Sequence, residues 1–307
     1  MIIGGKTFDF DEHFYIMGIL NVTPDSFSDG GKYNDMDQAL RHAEQMIADG
    51  ADIIDVGGES TRPGHIKITD SEEIERVCPI IEKLKESFDV PVSLDTYKSA
   101  VAAAGITAGA DLINDIWGLK WDYVRKSGIS DTLVPGEDKE DTDREDNGKL
   151  SMAKVIADAG IPCCLMHNRE KSDTSGDDSD NPYGYNNFVE DVIADIKESI
   201  DIALKAGISR DNITIDPGIG FAKDLNQNLV MMNHLEELCK LEYPVLLGTS
   251  RKSMIGLTLD LPVTEREEGT IATSVIGYQA GCRIFRVHDV KANLRALKMA
   301  EAILNGR

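Results

Sequence analysis

The feature of this sequence that most limits its fold is a regular alternation of short apolar segments and longer amphipathic segments. Eight apolar segments have the length and β-branched content of strands buried on both faces; they are residues 16–20, 51–56, 90–94, 111–113, 161–166, 213–215, 244–247 and 283–287. A helical segment follows each of them; these are residues 36–50, 71–87, 99–109, 152–160, 188–207, 226–240, 267–281 and 291–305. The alternation predicts parallel strands joined by right-handed helical crossovers.

Eight such units predict a closed (β/α)8 TIM barrel, an α/β fold that suits a chain of 307 residues. We therefore expect a single domain over residues 1–307. The alternative is a doubly wound open sheet. That fold normally has a glycine-rich nucleotide-binding turn, GxGxxG, after its first strand, and the sequence after residue 20 lacks this pattern.

Two local features add detail to this prediction. Pro24 and the pair Gly30-Gly31 prevent the loop after the first strand from continuing as strand or helix. Ser71 and Glu73 stand near the start of the helix predicted over residues 71–87 and are candidates for its capping groups.

Two acidic insertions interrupt the alternation. Residues 131–148 contain eight acidic residues against two basic ones, and residues 170–181 have a similar composition. Both lack the apolar residues needed to pack against a core, so we expect solvated or disordered loops. Each follows a predicted strand, which would place it on the face of the barrel where the strands end.

Composition excludes several classes of partner. The net charge of −22, with no basic stripe to offset it, argues against nucleic acid. An anionic substrate would have to be captured by locally concentrated Arg and Lys. No apolar run approaches the roughly 20 residues needed to span a bilayer, and the N-terminus lacks the pattern of a secretory signal. The five cysteines form no CxxC pair, which favours reduced thiols and a cytoplasmic location.

Polar side chains stand at the carboxyl end of every predicted strand. In chain order they are Asn21, Thr61 with Arg62, Asp95, Asn114, His167 after Met166, Asp216, Lys252 with Ser253, and Arg286 with His288. A barrel brings these ends together around one cavity, whatever their separation in sequence. The sequence therefore predicts an active site on this face.

These residues divide into two chemical sets. The first offers oxygen acceptors and amides that suit a flat heterocycle with several N–H donors; it consists of Asp95, Asn114 and Asp216. Lys252 would donate to a carbonyl of the same ring. The second set suits an anion, above all phosphate; it consists of Arg62, Arg286, His288 and Asn21. The side-chain oxygen of Asn21 also suits a hard cation such as Mg²⁺.

Several of these residues also have a purely structural interpretation. Asp95 could cap the helix that follows it. Asp216, which precedes a Pro-Gly pair, could form an Asx-turn. Arg286 and His288, two residues apart in a strand, point to the same face and could be a satisfied core pair. Arg251 could be a surface charge. Agreement at eight strand ends favours the functional interpretation.

At this point the chain resembles the dihydropteroate synthase family of the folate pathway, over residues 17–290. The resemblance rests on motifs that occur in order along the sequence: GILNVTPDSFSDGG, GADIIDVGGESTRPG, VSLDTYK, LINDIWG, DPGIGFAK, GTSRKSMIG and RVHDV. The family fold is a (β/α)8 barrel, which agrees with the pattern of strands and helices. The activity that the resemblance implies is condensation of 6-hydroxymethyl-7,8-dihydropterin pyrophosphate with 4-aminobenzoate, which gives 7,8-dihydropteroate and pyrophosphate.

The resemblance also implies roles for the matching positions. The pterin-holding residues would be Asp95, Asn114, Asp216 and Lys252, with Met166 and Phe221 near the ring. The pyrophosphate and Mg²⁺ site would comprise Asn21, Arg62, Arg286 and His288. The aminobenzoate side, which sulfonamides occupy in the family, would comprise Phe27, Thr61, Pro63 and Ser253. The catalytic residues would be Asp95, Lys252, Arg286 and His288.

Further properties are implied by the same resemblance. The mechanism would be dissociative, because Mg²⁺ and cationic groups neutralise the departing pyrophosphate while Asp95 stabilises the pterin cation. The first two βα loops would close over the substrates. The protein would be a homodimer formed by helices away from the active face.

Two other functions remain open at this stage. One is a methyltetrahydrofolate:corrinoid methyltransferase, which shares the barrel and a pterin pocket but has no use for a pyrophosphate site. The other is a non-catalytic pterin-binding paralogue, which would be expected to lose Asn21 or Lys252, both present here. The chain also departs from the family at Asn168 and Arg169, where a Met-His-Met or Met-His-Gln segment is more usual, and in the long acidic insertion after Asn114.

Overall fold

A computed structural model describes residues 1–23, 31–60, 67–122, 151–171 and 181–306; of residues 31–35 it describes the backbone alone. The strands are β1 (Ile2–Ile3), β2 (Lys6–Thr7), β3 (Tyr15–Asn21), β4 (Ile53–Gly57), β5 (Val92–Asp95), β6 (Leu112–Asp115), β7 (Cys163–Met166), β8 (Ile213–Asp216), β9 (Leu246–Leu247) and β10 (Ile284–Val287). The helices are α1 (Gly31–Ala48), α2 (Asp70–Ser87), α3 (Ser99–Thr107), α4 (Met152–Ala159), α5 (Phe188–Ala206), α6 (Leu225–Asn233), α7 (Leu235–Cys239), α8 (Ser253–Leu259), α9 (Glu267–Ala280) and α10 (Val290–Leu304).

The eight strands β3 to β10 form one parallel sheet that closes into a barrel. Their order is β8-β7-β6-β5-β4-β3-β10-β9, so strands that are neighbours in sequence are also neighbours in the sheet, except β8 and β9. The first barrel strand, β3, pairs with the last, β10. At the seam between β8 and β9, Ile215 pairs with Val245 in a parallel bridge, and the Ile215 N–H donates to the Pro244 carbonyl at 3.0 Å. The (β/α)8 TIM barrel predicted from the sequence is therefore confirmed.

The register of the sheet aligns the polar strand ends. Asn21 pairs with Gly57, Gly57 pairs with Asp95, and Asp95 pairs with Asn114. Because parallel strands in register end at the same level, these residues form a single rim at the carboxyl end of the barrel. Helices cover the outside of the sheet, where most of the buried apolar side chains lie.

The opposite end of the barrel is closed by the N-terminal residues. Strands β1 and β2 form an antiparallel hairpin that the sequence analysis did not predict. From this hairpin and the residue after it, Ile3 and Phe8 pack against the barrel-interior side chains Met17, Ile53 and Leu112. The hairpin therefore seals the floor of the barrel, and only the carboxyl end remains for a ligand.

Two details of the helix predictions are wrong. The N-cap of α2 is Thr69, whose hydroxyl accepts a hydrogen bond from the Glu72 N–H at 3.2 Å, and not Ser71 or Glu73. The helix predicted over residues 226–240 is divided at His234 into α6 and α7. The ring Nδ1 of His234 lies 2.8 Å from the Val230 carbonyl, and the His234 N–H bonds to Met231 instead, so the α-helical hydrogen bond is lost there.

No helix in the described part of the chain is long and apolar enough to cross a membrane.

Candidate active site

The centre of the candidate site is the guanidinium of Arg286, which points from β10 into the mouth of the barrel. Its Nε donates to Asp55 Oδ2 and its Nη2 donates to Asp95 Oδ2, each at 2.6 Å. Burial alone would lower the pKa of Arg286, but the charges of Asp55 and Asp95 outweigh it and raise that pKa. The guanidinium is thus held charged and fixed in orientation by two carboxylates from neighbouring strands.

The protonation of Asp95 is strongly affected by its surroundings. Burial raises its pKa to about 7, against the opposing effect of Arg286 and together with the negative charge of Asp55. The structural alternative that Asp95 caps α3 is wrong, because the residue before that helix is Lys98, and no side chain caps its first turn. Asp95 instead faces the cavity.

Asp55 was missed by the sequence analysis because it lies inside an apolar strand. It is fully buried, and Asn114 Nδ2 donates to its Oδ2 over 3.4 Å. Its second oxygen, Oδ1, and the nearby Ser93 hydroxyl are buried without a hydrogen-bond partner in the described part of the chain. The signal that could have revealed it is the carboxylate itself, because a carboxylate inside a strand that is buried on both faces must have a charged or hydrogen-bonding partner.

A second pair of opposite charges lies across the mouth of the barrel, on β8 and the loop after β9. Burial raises the pKa of Asp216, while burial lowers the pKa of Lys252 to about 8, and each charge opposes the shift of the other. Asp216 Oδ1 accepts a hydrogen bond from the Gly218 N–H at 2.7 Å, so the predicted Asx-turn also exists. Lys252 Nζ donates to the Ile219 carbonyl and lies 4.6 Å from the ring centre of Phe221.

Glycines keep the space between these charges open. A Cβ atom at Gly248 would lie 3.8 Å from Asp216 Oδ2 and 3.9 Å from Arg286, so it would stand in the gap between them. Gly220 has φ of +86°, and a Cβ there would approach the Lys252 side chain to 3.0 Å. Gly220 therefore requires glycine for its backbone conformation, whereas a Cβ at Gly248 would make ordinary contacts but would take up part of the gap.

An apolar wall completes one side of the cavity. Met166 is buried in a cluster with Tyr97, Ile116 and Trp121, and Phe221 packs against the same cluster. The rings of Tyr97 and Trp121 meet edge to face with centroids 4.8 Å apart. Met166 and Phe221, which were expected near a ring-shaped ligand, therefore lie together.

The remaining described candidates lie after the last two strands of the barrel, β9 and β10. His288 Nδ1 lies 2.9 Å from the Ser250 hydroxyl, which also accepts a hydrogen bond from the His288 N–H. Ser253 begins α8 and is exposed. Arg251, considered as a surface charge, forms an ion pair with Asp289 in which Nη2 and Oδ1 are 2.6 Å apart.

Four predicted site residues and most of the two insertions lie outside the described residues: Phe27, Thr61, Arg62 and Pro63, residues 131–148, and residues 172–180. Lys98 contacts the chain on both sides of residues 61–66, through a side chain before the segment and through the backbone after it. Its Nζ donates to Glu59 Oε2 at 2.7 Å before the segment and to the Ile68 carbonyl at 2.6 Å after it.

A magnesium ion is compatible with the donor set at this face. No cluster of three His, Cys, Asp or Glu side chains suited to a metal occurs in the described ranges. The side-chain oxygen of Asn21 lies 3.5 Å from the point where a Cβ on Gly57 would stand, and Asp95 Oδ2 lies 3.7 Å from the same point. The absence of a side chain at Gly57 thus leaves a cradle beside a neutral oxygen, which suits Mg²⁺ bound mainly through water and phosphate oxygens.

Comparisons with known proteins agree on one family. Residues 17–288 match the family model described as pterin binding enzyme. The chain is 53% identical over 305 residues to the dihydropteroate synthase of Clostridium beijerinckii, a match that covers 99% of both proteins.

Solved structures of the same name are similar throughout. A dihydropteroate synthase from Clostridium difficile, crystallised in the presence of pteroic acid, is 43% identical with a TM-score of 0.80, covering 97% of this chain and 99% of that one. The Yersinia pestis dihydropteroate synthase in a sulfonamide drug complex is 38% identical with a TM-score of 0.80, covering 100% of this chain and 99% of that one.

Proposed function

The chain belongs to the pterin binding enzyme family and, within it, to the dihydropteroate synthases, and we propose that it condenses 6-hydroxymethyl-7,8-dihydropterin pyrophosphate with 4-aminobenzoate. The products are 7,8-dihydropteroate and pyrophosphate, so the protein is a transferase of folate synthesis. The observation that carries the proposal is the group of three carboxylates and two cations at the carboxyl end of the barrel, formed by Asp55, Asp95, Asp216, Lys252 and Arg286, of which Asp55 and Asp216 are buried.

In this proposal the pterin ring is recognised by complementary donors and acceptors. The N–H groups of a pterin match the oxygens of Asp95, Asn114 and Asp216, and its ring carbonyl matches the Lys252 ammonium. Met166 and Phe221 would cover the apolar ring faces, consistent with their place in one cluster.

The reaction needs a leaving group to depart before the amine adds. Loss of pyrophosphate leaves a cation that the pterin ring delocalises, and the carboxylate of Asp95 would stabilise it electrostatically. Arg286 and His288 would receive the pyrophosphate together with Arg62. Little general-base catalysis is required, because the aromatic amine of 4-aminobenzoate is a weak base that attacks an electrophile already formed.

The proposed cofactor is Mg²⁺, held by the side-chain oxygen of Asn21. When bound, it would supply positive charge to the departing pyrophosphate. Phe27, Thr61, Pro63 and Ser253 would form the 4-aminobenzoate side of the site. These assignments rest on the family resemblance of the corresponding motifs.

We further propose that the protein is a homodimer that associates through helices away from the active face. Large apolar side chains are exposed on the two last helices of the barrel, where Ile276 of α9 is 50% exposed and Met299 and Ile303 of α10 are 61% and 66% exposed. Such a group of side chains is typical of an interface between protein chains. Sedimentation of the purified chain at micromolar concentration measures this directly.

The proposed function is tested by pyrophosphate release from purified protein with Mg²⁺ and the pterin pyrophosphate, with and without 4-aminobenzoate. We expect release that depends on 4-aminobenzoate and is lost in Asp95→Asn and Arg286→Ala. Lys240→Met, at an exposed ion pair with Glu237, serves as the matched control and should leave the rate unchanged. Tight pterin binding without release would contradict the enzymatic proposal and support a binding paralogue.

A further inference from the structure

The buried ammonium of Lys223 is an unusual feature beside the candidate site. Its Nζ lies 3.0 Å from the Gly218 carbonyl, 3.1 Å from the Phe221 carbonyl and 2.8 Å from His167 Nδ1. An ammonium group has three N–H donors, and here each has one acceptor. The three contacts together hold a backbone segment on one side and an imidazole on the other.

The segment that Lys223 holds, residues 217–221, forms part of the candidate site. It begins after Asp216, and its Gly218 N–H donates to that carboxylate at 2.7 Å. It ends at Phe221, over whose ring the ammonium of Lys252 lies. The fit is tight, since a Cβ at Gly218, where φ is +66°, would lie 2.0 Å from the His167 carbonyl oxygen. Lys223 therefore acts on the shape of the site without lying among its proposed ligand contacts.

The contact with His167 fixes where the imidazole proton must be. Since Lys223 donates to Nδ1, the remaining proton of a neutral imidazole is on Nε2, which lies 3.0 Å from Asp195 Oδ2. Burial, with the charge of Lys223, lowers the pKa of His167 to about 3, while burial lowers the pKa of Lys223 to about 7. At pH 6 the proton of this pair is therefore on the lysine.

Arg169 completes the arrangement at its outer end. Its Nε and Nη2 both donate to the Asp195 carboxylate, the second at 3.2 Å, and its guanidinium lies 4.4 Å from the ring centre of Tyr185. Burial alone would raise the pKa of Asp195, but hydrogen bonds from His167 and Arg169 lower it. Asp195 is thus kept ionised as the acceptor that His167 requires.

We propose that Arg169, Asp195, His167 and Lys223 form a buried network, the Lys223 network, that positions residues 217–221 for binding of the pterin. Lys223 is its positioning residue and acts as a charged donor to the carbonyls of Gly218 and Phe221. The inference rests on the proposed function, because it assigns the segment's side chains to the pterin. Arg169 is one of the two residues at which the chain departs from the family pattern. The network gives this residue a defined structural role.

The first test is the tautomer of His167, measured by ¹⁵N chemical shifts of histidine-labelled protein at pH 6 and assigned with His167→Gln. We expect a neutral ring with its proton on Nε2. A proton on Nδ1, or an imidazolium at this pH, would overturn the network, since Lys223 could not then donate to Nδ1.

The second test compares Lys223→Met with Lys240→Met in steady-state kinetics and in calorimetric titration with the pterin pyrophosphate. Loss of the charged donor should raise the KM for the pterin pyrophosphate and weaken its binding at least about tenfold, with the KM for 4-aminobenzoate unchanged. Equal effects on both KM values, or no effect in folded Lys223→Met, would contradict a positioning role.

If Lys223→Met does not fold, the variant Arg169→Gln, at the more exposed end of the network, tests the positioning role. It should raise the KM for the pterin pyrophosphate by a smaller factor and leave that for 4-aminobenzoate unchanged; an unchanged KM for the pterin substrate would overturn the proposal. Titration with the pterin pyrophosphate needs no turnover, so it tests the network even if the wild-type protein releases no pyrophosphate and the proposed function fails.

Discussion

At the scale of single residues, Lys98 is a buried electrostatic constraint outside the site. Its ammonium, buried at the start of α3, contacts Glu59 at 2.7 Å and Glu73 at 2.8 Å. The Tyr97 hydroxyl donates to the second oxygen of Glu59 at 2.7 Å. One cation thus pairs with two buried carboxylates. It also links the side chain of Glu59 to the carbonyl of Ile68 across residues 61–66, where three candidate substrate-binding residues lie.

We predict that Lys98→Met lowers the free energy of unfolding by roughly 3–5 kcal/mol at pH 8, because removal of one partner leaves buried charges unpaired. Burial already raises the pKa of Glu73, which should rise further without Lys98, while the pKa of Glu59, which is now lowered, should rise above the unfolded value. The native variant then binds more protons than the unfolded chain. Its loss in free energy of unfolding, relative to the wild-type protein, should therefore shrink as the pH falls from 8 towards 5. Denaturant unfolding at several pH values measures both effects.

Lys83→Met is the matched control for this comparison. Lys83 pairs with Glu86 on the exposed face of α2, so its loss should have little effect on stability and little dependence on pH. If Lys98→Met lowers the free energy of unfolding as little as Lys83→Met does, then Glu59 and Glu73 are solvated or neutral without their cation.

At the scale of elements, the barrel strands could be predicted from sequence because each is a short apolar run with a polar residue at its end. The eight observed strands overlap the eight predicted ones. The convergence of the strand ends could also be predicted, since Asp95, Asp216, Lys252 and Arg286 lie around one barrel mouth, whereas their division into two chemical sets stays a prediction. That arrangement follows from parallel register alone.

What the sequence could not supply were the partners of buried groups. Asp55 and Arg286 are 231 residues apart, and only barrel closure brings them together. Lys223 and His167 are 56 residues apart and meet because the strands that they follow, β8 and β7, are paired in the sheet. Short elements were missed as well, because the two-residue strands β1 and β2 carry too few residues for a periodic pattern.

The N-terminal hairpin provides a prediction at this scale. Ile2 and Ile3 are adjacent in β1 but point to opposite faces, and they are 63% and 0% exposed. We predict that Ile3→Ala destabilises the protein by about 2–5 kcal/mol because it leaves a cavity in the floor of the barrel. Ile2→Ala, of identical chemistry, should change the stability by no more than about 0.5 kcal/mol. Thermal and urea unfolding of the pair provide the measurement, and equal effects would mean that the hairpin does not seal the barrel in solution.

At the scale of the whole molecule, the site and the rest of the chain have opposite electrostatic requirements. The chain has a net charge of −22, to which residues 131–148 contribute eight acidic and two basic side chains. The proposed substrates are anionic, and the cations proposed to receive them, Arg286 and Lys252 among them, are held in the barrel mouth by neighbouring carboxylates. Attraction therefore acts at short range, against a repulsive field at long range.

The same excess of negative charge should oppose folding through self-repulsion, and salt should relieve it. We predict that raising KCl from 20 to 300 mM at pH 8, with EDTA present to exclude divalent ions, raises the Tm by about 1–2 °C, which corresponds to roughly 1 kcal/mol in a protein of this size. Choline chloride at equal ionic strength should act alike. A variant with the acidic residues of 131–148 replaced by their amides should show a smaller rise, because less repulsion remains to be screened. A Tm that falls with salt would mean that local ion pairs such as Lys98 with Glu59 and Glu73 outweigh the repulsion between distant carboxylates.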